Sequence, residues 1–378
     1  MFFTVIIFII TLLILVVIHE LGHFLMAKKF NIKVLEFGFG IPPRAWGKKI
    51  GETLVSINWL PFGGFVRLLG EDEVDKAILG NKRSFVSQTV SKRITVVIAG
   101  VFMNLILAWI LFYIILGTQN FKTSFPLILD HKFVGVTQVD EALVLIRGIS
   151  KDSPAEAAGI KPGGSVLSIN GEKIEGTFEL SEKIKAAEGK EVTLLLKNPE
   201  TDLEQEIKVT PRENPPPGQG AIGVSLTDFH IAKIEYKDPL SKIFAGPIHS
   251  WNLTAYSGKI FGSLLARSIQ TKNIEPVSQT VSGPVGITNV VNSILTESKK
   301  PILEYLNFVA LLSLNLAVLN VLPFPALDGG RLSFLFIEAI TRKKVKAEVE
   351  KWVHTIGMAI LLTLMLLVTF SDIKKLIP

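Results

Sequence analysis

Cysteine is missing from all 378 residues. That excludes disulfides and thiolate metal ligands, so any metal must be held by His, Asp or Glu. Charge is scarce as well: 20% of residues are Asp, Glu, Lys or Arg, against 48% hydrophobic. The scarcity is concentrated. Phe2–Ile18, Ile94–Gly117 and Phe308–Leu327 contain no charge at all, and Val353–Phe370 has only a histidine. Segments of this length and character are membrane-span candidates, because about 20 apolar residues cross the hydrocarbon layer. The amino terminus lacks the basic region and the small-x-small site of a cleaved signal, so the first run reads as a retained span. The net charge of +6 carries no basic stripe with interleaved aromatics. The sequence therefore gives no nucleic-acid signature, and the excess fits loops facing anionic lipid.

What is there is His19-Glu20-Leu21-Gly22-His23, an instance of H-E-x-x-H at the end of the first apolar run. On a helix, positions i and i+4 share a face and lie about 6 Å apart along the axis. Two imidazoles so placed can hold one zinc ion, with the intervening Glu as general base. Ionisable groups at the rim of a span are costly without a function. A hydrolytic zinc site needs a third protein ligand. Asp328, after the helix-breaking Pro323 and Pro325, is the stronger candidate; His354, in the fourth apolar run, is its rival.

Four spans follow, at about residues 3–26, 94–117, 306–327 and 353–370. Residues 27–93 contain eight Lys and four Arg, and 331–351 contain six basic residues, whereas the first four residues contain none. The positive-inside bias puts both short loops in the cytoplasm and both termini outside. His19, His23 and Asp328 then share one depth, near the cytoplasmic face. Within 50–70, Leu54–Trp59 alternates, Gly63-Gly64 makes a turn, and Phe65–Leu68 follows. This reads as a hairpin or small sheet beside the site, either a plain surface feature or an edge that holds extended substrate. Residues 131–227 read as a compact outer domain. Segment 228–300 reads as interfacial amphipathic helices, with 244–269 favoured as interfacial over a fifth span. Gly283-Pro284-Val285-Gly286 reads as a turn into the third span.

HELGH in the first span and Asn320-x-x-Pro323-x-Pro325-x-Leu327-Asp328-Gly329 in the third resemble the site-2 protease family of intramembrane zinc metalloproteases. The likeness is to its bacterial branch, typified by the regulator of sigma-E protease. It extends to Pro61–Val66 in the first loop and to the Gly283–Ile287 stretch. The resemblance implies a multi-pass α-helical membrane protein in the bacterial inner membrane, with a membrane-associated β-hairpin and an extracytoplasmic PDZ-like α+β domain. It divides the chain into a membrane half at 1–130, the PDZ-like domain at 131–227, post-PDZ helices at 228–300 and a second membrane half at 301–378.

The resemblance implies one Zn2+ on His19, His23 and Asp328, with Glu20 as catalytic base. It gives Asn320 a substrate-positioning role, beside the plainer reading of an interhelical hydrogen bond. Gly63, Gly64 and Phe65 correspond to the family's substrate-pairing loop. Ser153–Gly164 with Val166–Gly171 resembles a circularly permuted PDZ domain, although Gly164 replaces the usual Asp. There Ala221, Ile222, Gly223 and Val224 would be the peptide-binding strand, unless the domain acts as a size filter. The implied substrates are single-span membrane proteins in the lipid bilayer, such as anti-sigma factors and signal-peptide remnants. Two other classes stay open. A non-catalytic PDZ scaffold would have no need of Glu20 or of the ligands. A zinc transporter would want several metal clusters along a path, and the sequence offers one.

Overall fold

The structure is a computed structural model that describes residues 2–376 apart from 72–77, 79 and 199–202. The chain divides into two compact units, Met1–Thr118 with Ile243–Pro378, and Gln119–Lys242.

Helix α1, Phe2–Lys29, carries HELGH near its end. Lys28 and Lys29 occupy its last turn, where the helix dipole favours cations. Asn31, at φ 58°, stops it in a left-handed turn in which Ile32 N–H reaches back to the Ala27 carbonyl.

Strands β1, Val34–Ile50, and β2, Thr53–Leu68, pair into one sheet. Their register is more folded than a simple hairpin. Residues 44–50 run antiparallel to 53–58 around the Gly51-Glu52 turn, and 34–39 run antiparallel to 64–68. Residues 36–39 also lie beside 54–57, residue for residue in the same sense. The ladder order is 44–50, 53–58, 34–39, 64–68, which among the described residues leaves 64–68 as an outer edge. At the turn, Glu52 takes ion pairs from Arg83 and Lys28, whose hydrogen bonds hold its carboxyl down at about 2.

Helix α2, Val90–Thr118, packs on α1 through Gly22, where any Cβ would strike the Ala99 carbonyl. Small residues permit this close approach between apolar helices.

The inserted unit is a seven-stranded sheet. Its strands are β3 (Lys122–Pro126), β4 (Thr137–Ile149), β5 (Ser165–Ile169), β6 (Glu172–Lys173), β7 (Val192–Lys197), β8 (Glu204–Val209) and β9 (Val224–Glu235), in the order β3-β9-β4-β5-β7-β8, with β6 beside β5. Helices α3, Pro154–Ala157, and α4, Thr177–Ala186, complete the unit. Ser153 caps α3 by accepting from Glu156 N–H, while Glu156 reaches back to accept from the N–H of Asp152, the residue before the cap. Val144, Ile146, Leu180, Ile184, Val192 and Leu194 form the core. The sheet begins at Lys122 and ends at Glu235, so the unit is wider than the expected 131–227.

The chain returns through α5, Ala245–Thr271, one 27-residue helix whose buried face packs on α2. The expected turn at Gly283–Gly286 is instead the start of α6, Pro284–Glu297. Gly283 N–H and Gly286 N–H both donate to Asp372 Oδ2 at 2.8 Å. A buried carboxylate from the other end of the chain thus caps a helix whose own cap residue has no side chain.

Helix α7, Pro301–Val321, ends before the two prolines, so residues 322–327 lie in a loop and not in the expected third span. Helices α8, Asp328–Thr341, and α9, Ala347–Leu376, finish the fold. Helix α8 is tied to α2 by the Glu338–Arg93 ion pair at 2.5 Å. Arg93 is buried and Glu338 half-buried, so removing Glu338 would leave a buried cation unpaired, at a cost of up to about 3–5 kcal/mol. Phe3–Lys29, Val90–Thr118, Pro301–Val321 and Glu348–Lys375 are long and apolar enough to cross a membrane.

Candidate metal centre

His19 and His23 sit one turn apart on α1, with Nε2 atoms 3.2 Å from each other. Asp328 is the first residue of α8, where the helix N-terminus favours a carboxylate. Its Oδ2 lies 2.9 Å from His19 Nε2 and 3.3 Å from His23 Nε2. Among the described residues these three form the one group of His, Asp and Glu side chains able to hold a metal ion.

Zinc bound at about 2.0–2.2 Å in tetrahedral geometry keeps its ligand atoms about 3.3–3.6 Å apart. The three spacings are close to that value, with the carboxylate drawn slightly inward. Two imidazoles and one carboxylate also leave a fourth position free, as a hydrolytic centre requires. The residues therefore fit zinc.

The surroundings hold the ligands in register. His23 Nδ1–H donates to the Val96 carbonyl at 2.8 Å, which leaves Nε2 as the ring's lone-pair nitrogen. Gly100 of α2 faces both imidazoles, and a Cβ there would collide with both Nε2 atoms. The loop that carries Asp328 is fixed from α9. Ala326, at φ 76°, donates its N–H to His354 Nδ1 at 2.9 Å. His354, the rival ligand, is thus a support for the loop and stands outside the metal group.

A cavity of about 270 Å3 opens on His23 and Asp328 of the triad. Glu20, His23, Asp328 and Phe65–Leu68 line it, together with the ion-paired Glu71 and Arg331. Gly64 comes so near that a Cβ there would lie 3.5 Å from Glu20 Cγ. Gly63, at φ 82°, sets the turn before it. The structure therefore brings Glu20, Gly64 and Phe65 to the triad.

It does not bring every expected residue. Asn320 is half-buried in the last turn of α7 and is not among the residues lining the cavity. Ala221, Ile222 and Gly223 form a turn, not a strand. Their backbone is already used, because Ser150, Ala155 and Arg212 donate N–H groups to the Gly223, Ile222 and Ala221 carbonyls. The strand begins at Val224, and the stretch 224–229 pairs with β4 on one side only among the described residues. Helix α4 is tied to that stretch by Asp228, which accepts from Thr177 N–H and Oγ1–H.

Sequence reasoning passed over Glu71, Arg331 and Asn104. Nothing local marks Glu71 or Arg331. Asn104 carried a signal, as the only carboxamide in the Ile94–Gly117 run.

A helix-borne pair of histidines, a Glu between them and a distant Asp on a second helix have the residue types and spacing of a zinc metallopeptidase centre. The particular lineage follows from comparison with known proteins: the chain belongs to peptidase family M50, whose profile matches residues 7–364. It is 33% identical to a candidate zinc metalloprotease of Clostridium perfringens, over 95% of both chains. It is 29% identical to the regulator of sigma-W protease RasP of Bacillus subtilis, over 99% of both. A solved PDZ domain of an SdrC-like protein from Listeria monocytogenes covers 26% of this chain and 94% of its own, at 18% identity and a TM-score of 0.20.

Proposed function

We propose that this zinc metallopeptidase cleaves peptide bonds inside membrane-spanning segments. One observation carries the reading: the zinc-fitting triad closes on a helix whose preceding stretch, Phe2–Ile18, is uncharged and long enough to lie in lipid. Lys and Arg counts favour an orientation with the triad near the cytoplasmic face of the inner membrane. The termini and the inserted unit are then outside.

His19, His23 and Asp328 hold the metal. Zinc, when bound, supplies Lewis acidity at the scissile carbonyl and makes water more acidic. Glu20, on the cavity wall beside His23, takes a proton from the attacking water and delivers one to the leaving nitrogen. A substrate helix keeps its backbone hydrogen bonds internal, so its peptide bonds are shielded until it unwinds. The outer edge at 64–68 faces the cavity and can replace those bonds by strand addition. Gly64 lets the extended chain approach Glu20.

The inserted unit acts as a PDZ-like selector. Its one-sided stretch at 224–229, flanked by α4, suits an extended peptide tail. Single-span proteins fit as substrates. The Bacillus subtilis relative's name ties it to sigma-W, which favours a membrane-anchored anti-sigma factor over signal-peptide remnants.

Quantitative membrane proteomics of cells carrying the wild type or Glu20→Gln tests this. Short single-span fragments will accumulate only with the variant. Identical fragment profiles in the two strains would count against the reading.

A further inference from the structure

Both imidazoles present Nε2 to the metal position, so each must carry its proton on Nδ1 when zinc is held, and each Nδ1–H needs an acceptor. His23 has the Val96 carbonyl. His19 Nδ1 faces the Asn104 carboxamide, with Nδ2 at 3.4 Å. Asn104 is 1% exposed, and its Oδ1 is buried with no hydrogen-bond partner. A half-turn about the Cβ–Cγ bond exchanges the two amide atoms, which are nearly alike in shape. Oδ1 then meets His19 Nδ1–H, and a buried acceptor gains its donor.

We infer that Asn104 is a positioning residue for the metal centre, accepting from His19 Nδ1–H and so fixing the tautomer and plane of that ligand. The inference rests on the assignment of His19 as a zinc ligand. Its setting is rigid. Ser313 Oγ–H on α7 donates to the Asn104 backbone carbonyl at 2.8 Å, and Ala108, one turn on, is fully buried against Leu314. Gly100, one turn before, leaves room for both rings. One turn of α2 therefore makes space for the imidazoles, and the next orients one of them. The asymmetry is chemical. The His23 acceptor is a backbone carbonyl that no substitution removes, whereas the His19 acceptor is a side chain.

Zinc retention against a competing chelator, measured on the purified full chain in detergent, is the test. Asn104→Leu keeps the size and removes the acceptor, and it will hold zinc about 10–100-fold more weakly, the range usual for loss of such an outer partner. Asn104→Asp restores an acceptor and will bring retention back toward wild type. Ser313→Ala weakens the same helix contact without touching the amide and will stay within about twofold. In the cobalt-substituted protein, a slowly exchanging His19 Nδ1–H proton resonance will be present in the wild type and absent in Asn104→Leu. Equal zinc retention in wild type and Asn104→Leu would overturn the inference, and so would loss in Asn104→Asp equal to that in Asn104→Leu. His19→Ala distinguishes the ligand role of His19 from the positioning role of Asn104. If it binds zinc as tightly as wild type, the ligand assignment itself is wrong. If it loses zinc while Asn104→Leu does not, only the role of Asn104 falls.

Discussion

Replacing Glu20 with Gln will lower the rate of cleavage of a single-span reporter by about 10^2–10^4-fold, the usual worth of a positioned general base, while one zinc per chain is retained. The substitution keeps the shape of a side chain that lines the cavity beside His23 and Asp328. Glu20 is not in the metal group, so the ligand set is untouched. What disappears is the acceptor for the proton of the attacking water. The zinc content makes the result interpretable: activity lost with metal retained isolates the proton transfer. Cleavage at the wild-type rate would show that Glu20 is a bystander. Loss of zinc together with activity would show that its role is structural.

Asp328→Ala will strip the metal. Wild-type protein will keep one zinc per chain through dialysis, and the variant will fall close to none, with no measurable cleavage. The two histidines alone leave a two-ligand site, one short of the three protein ligands a hydrolytic zinc needs. Asp328 also brings together α1 and α8, which stand more than 300 residues apart in the chain but meet at 2.9 and 3.3 Å. His354→Ala is the contrasting case. His354 accepts from Ala326 N–H and supports the loop before Asp328. Its removal will leave zinc bound and slow cleavage by loosening that loop. Full zinc retention in Asp328→Ala, or complete loss in His354→Ala, would exchange the roles of the two residues.

The centre was legible in the sequence because its chemistry is local. HELGH offers two candidate ligands and a candidate base within five residues, and a Pro-x-Pro break ahead of Asp328 marks where a third ligand could stand. Hydropathy revealed the long apolar helices for the same reason, since apolar runs need no partner to be recognised. What depended on distant partners was not legible. Asn104 reads as a stray polar residue until His19, 85 positions earlier, is seen beside it. Gly283–Gly286 has the composition of a turn, and only Asp372, 86–89 positions away, makes it a helix start. Residues 54–68 read as a hairpin or small sheet because alternation gives strands but not their order; residues 36–39 lie between 54–57 and 64–67, which do not pair with each other, and so place 64–68 at the edge among the described residues. Ala221–Val224 alternates like a strand, yet Gly223 at φ 75° turns its first three residues into a loop.

The peptide bond cut by this centre is expected to lie within a membrane-spanning segment. Purified protein reconstituted in lipid vesicles with a single-span substrate, followed by mass spectrometry of both product ends, addresses it directly. The expected cut falls inside the apolar segment, in its cytoplasmic half, in wild type and not in Glu20→Gln. A cut confined to the soluble flanks of the span would rule out intramembrane cleavage, and one made equally by both proteins would rule out Glu20 as its base.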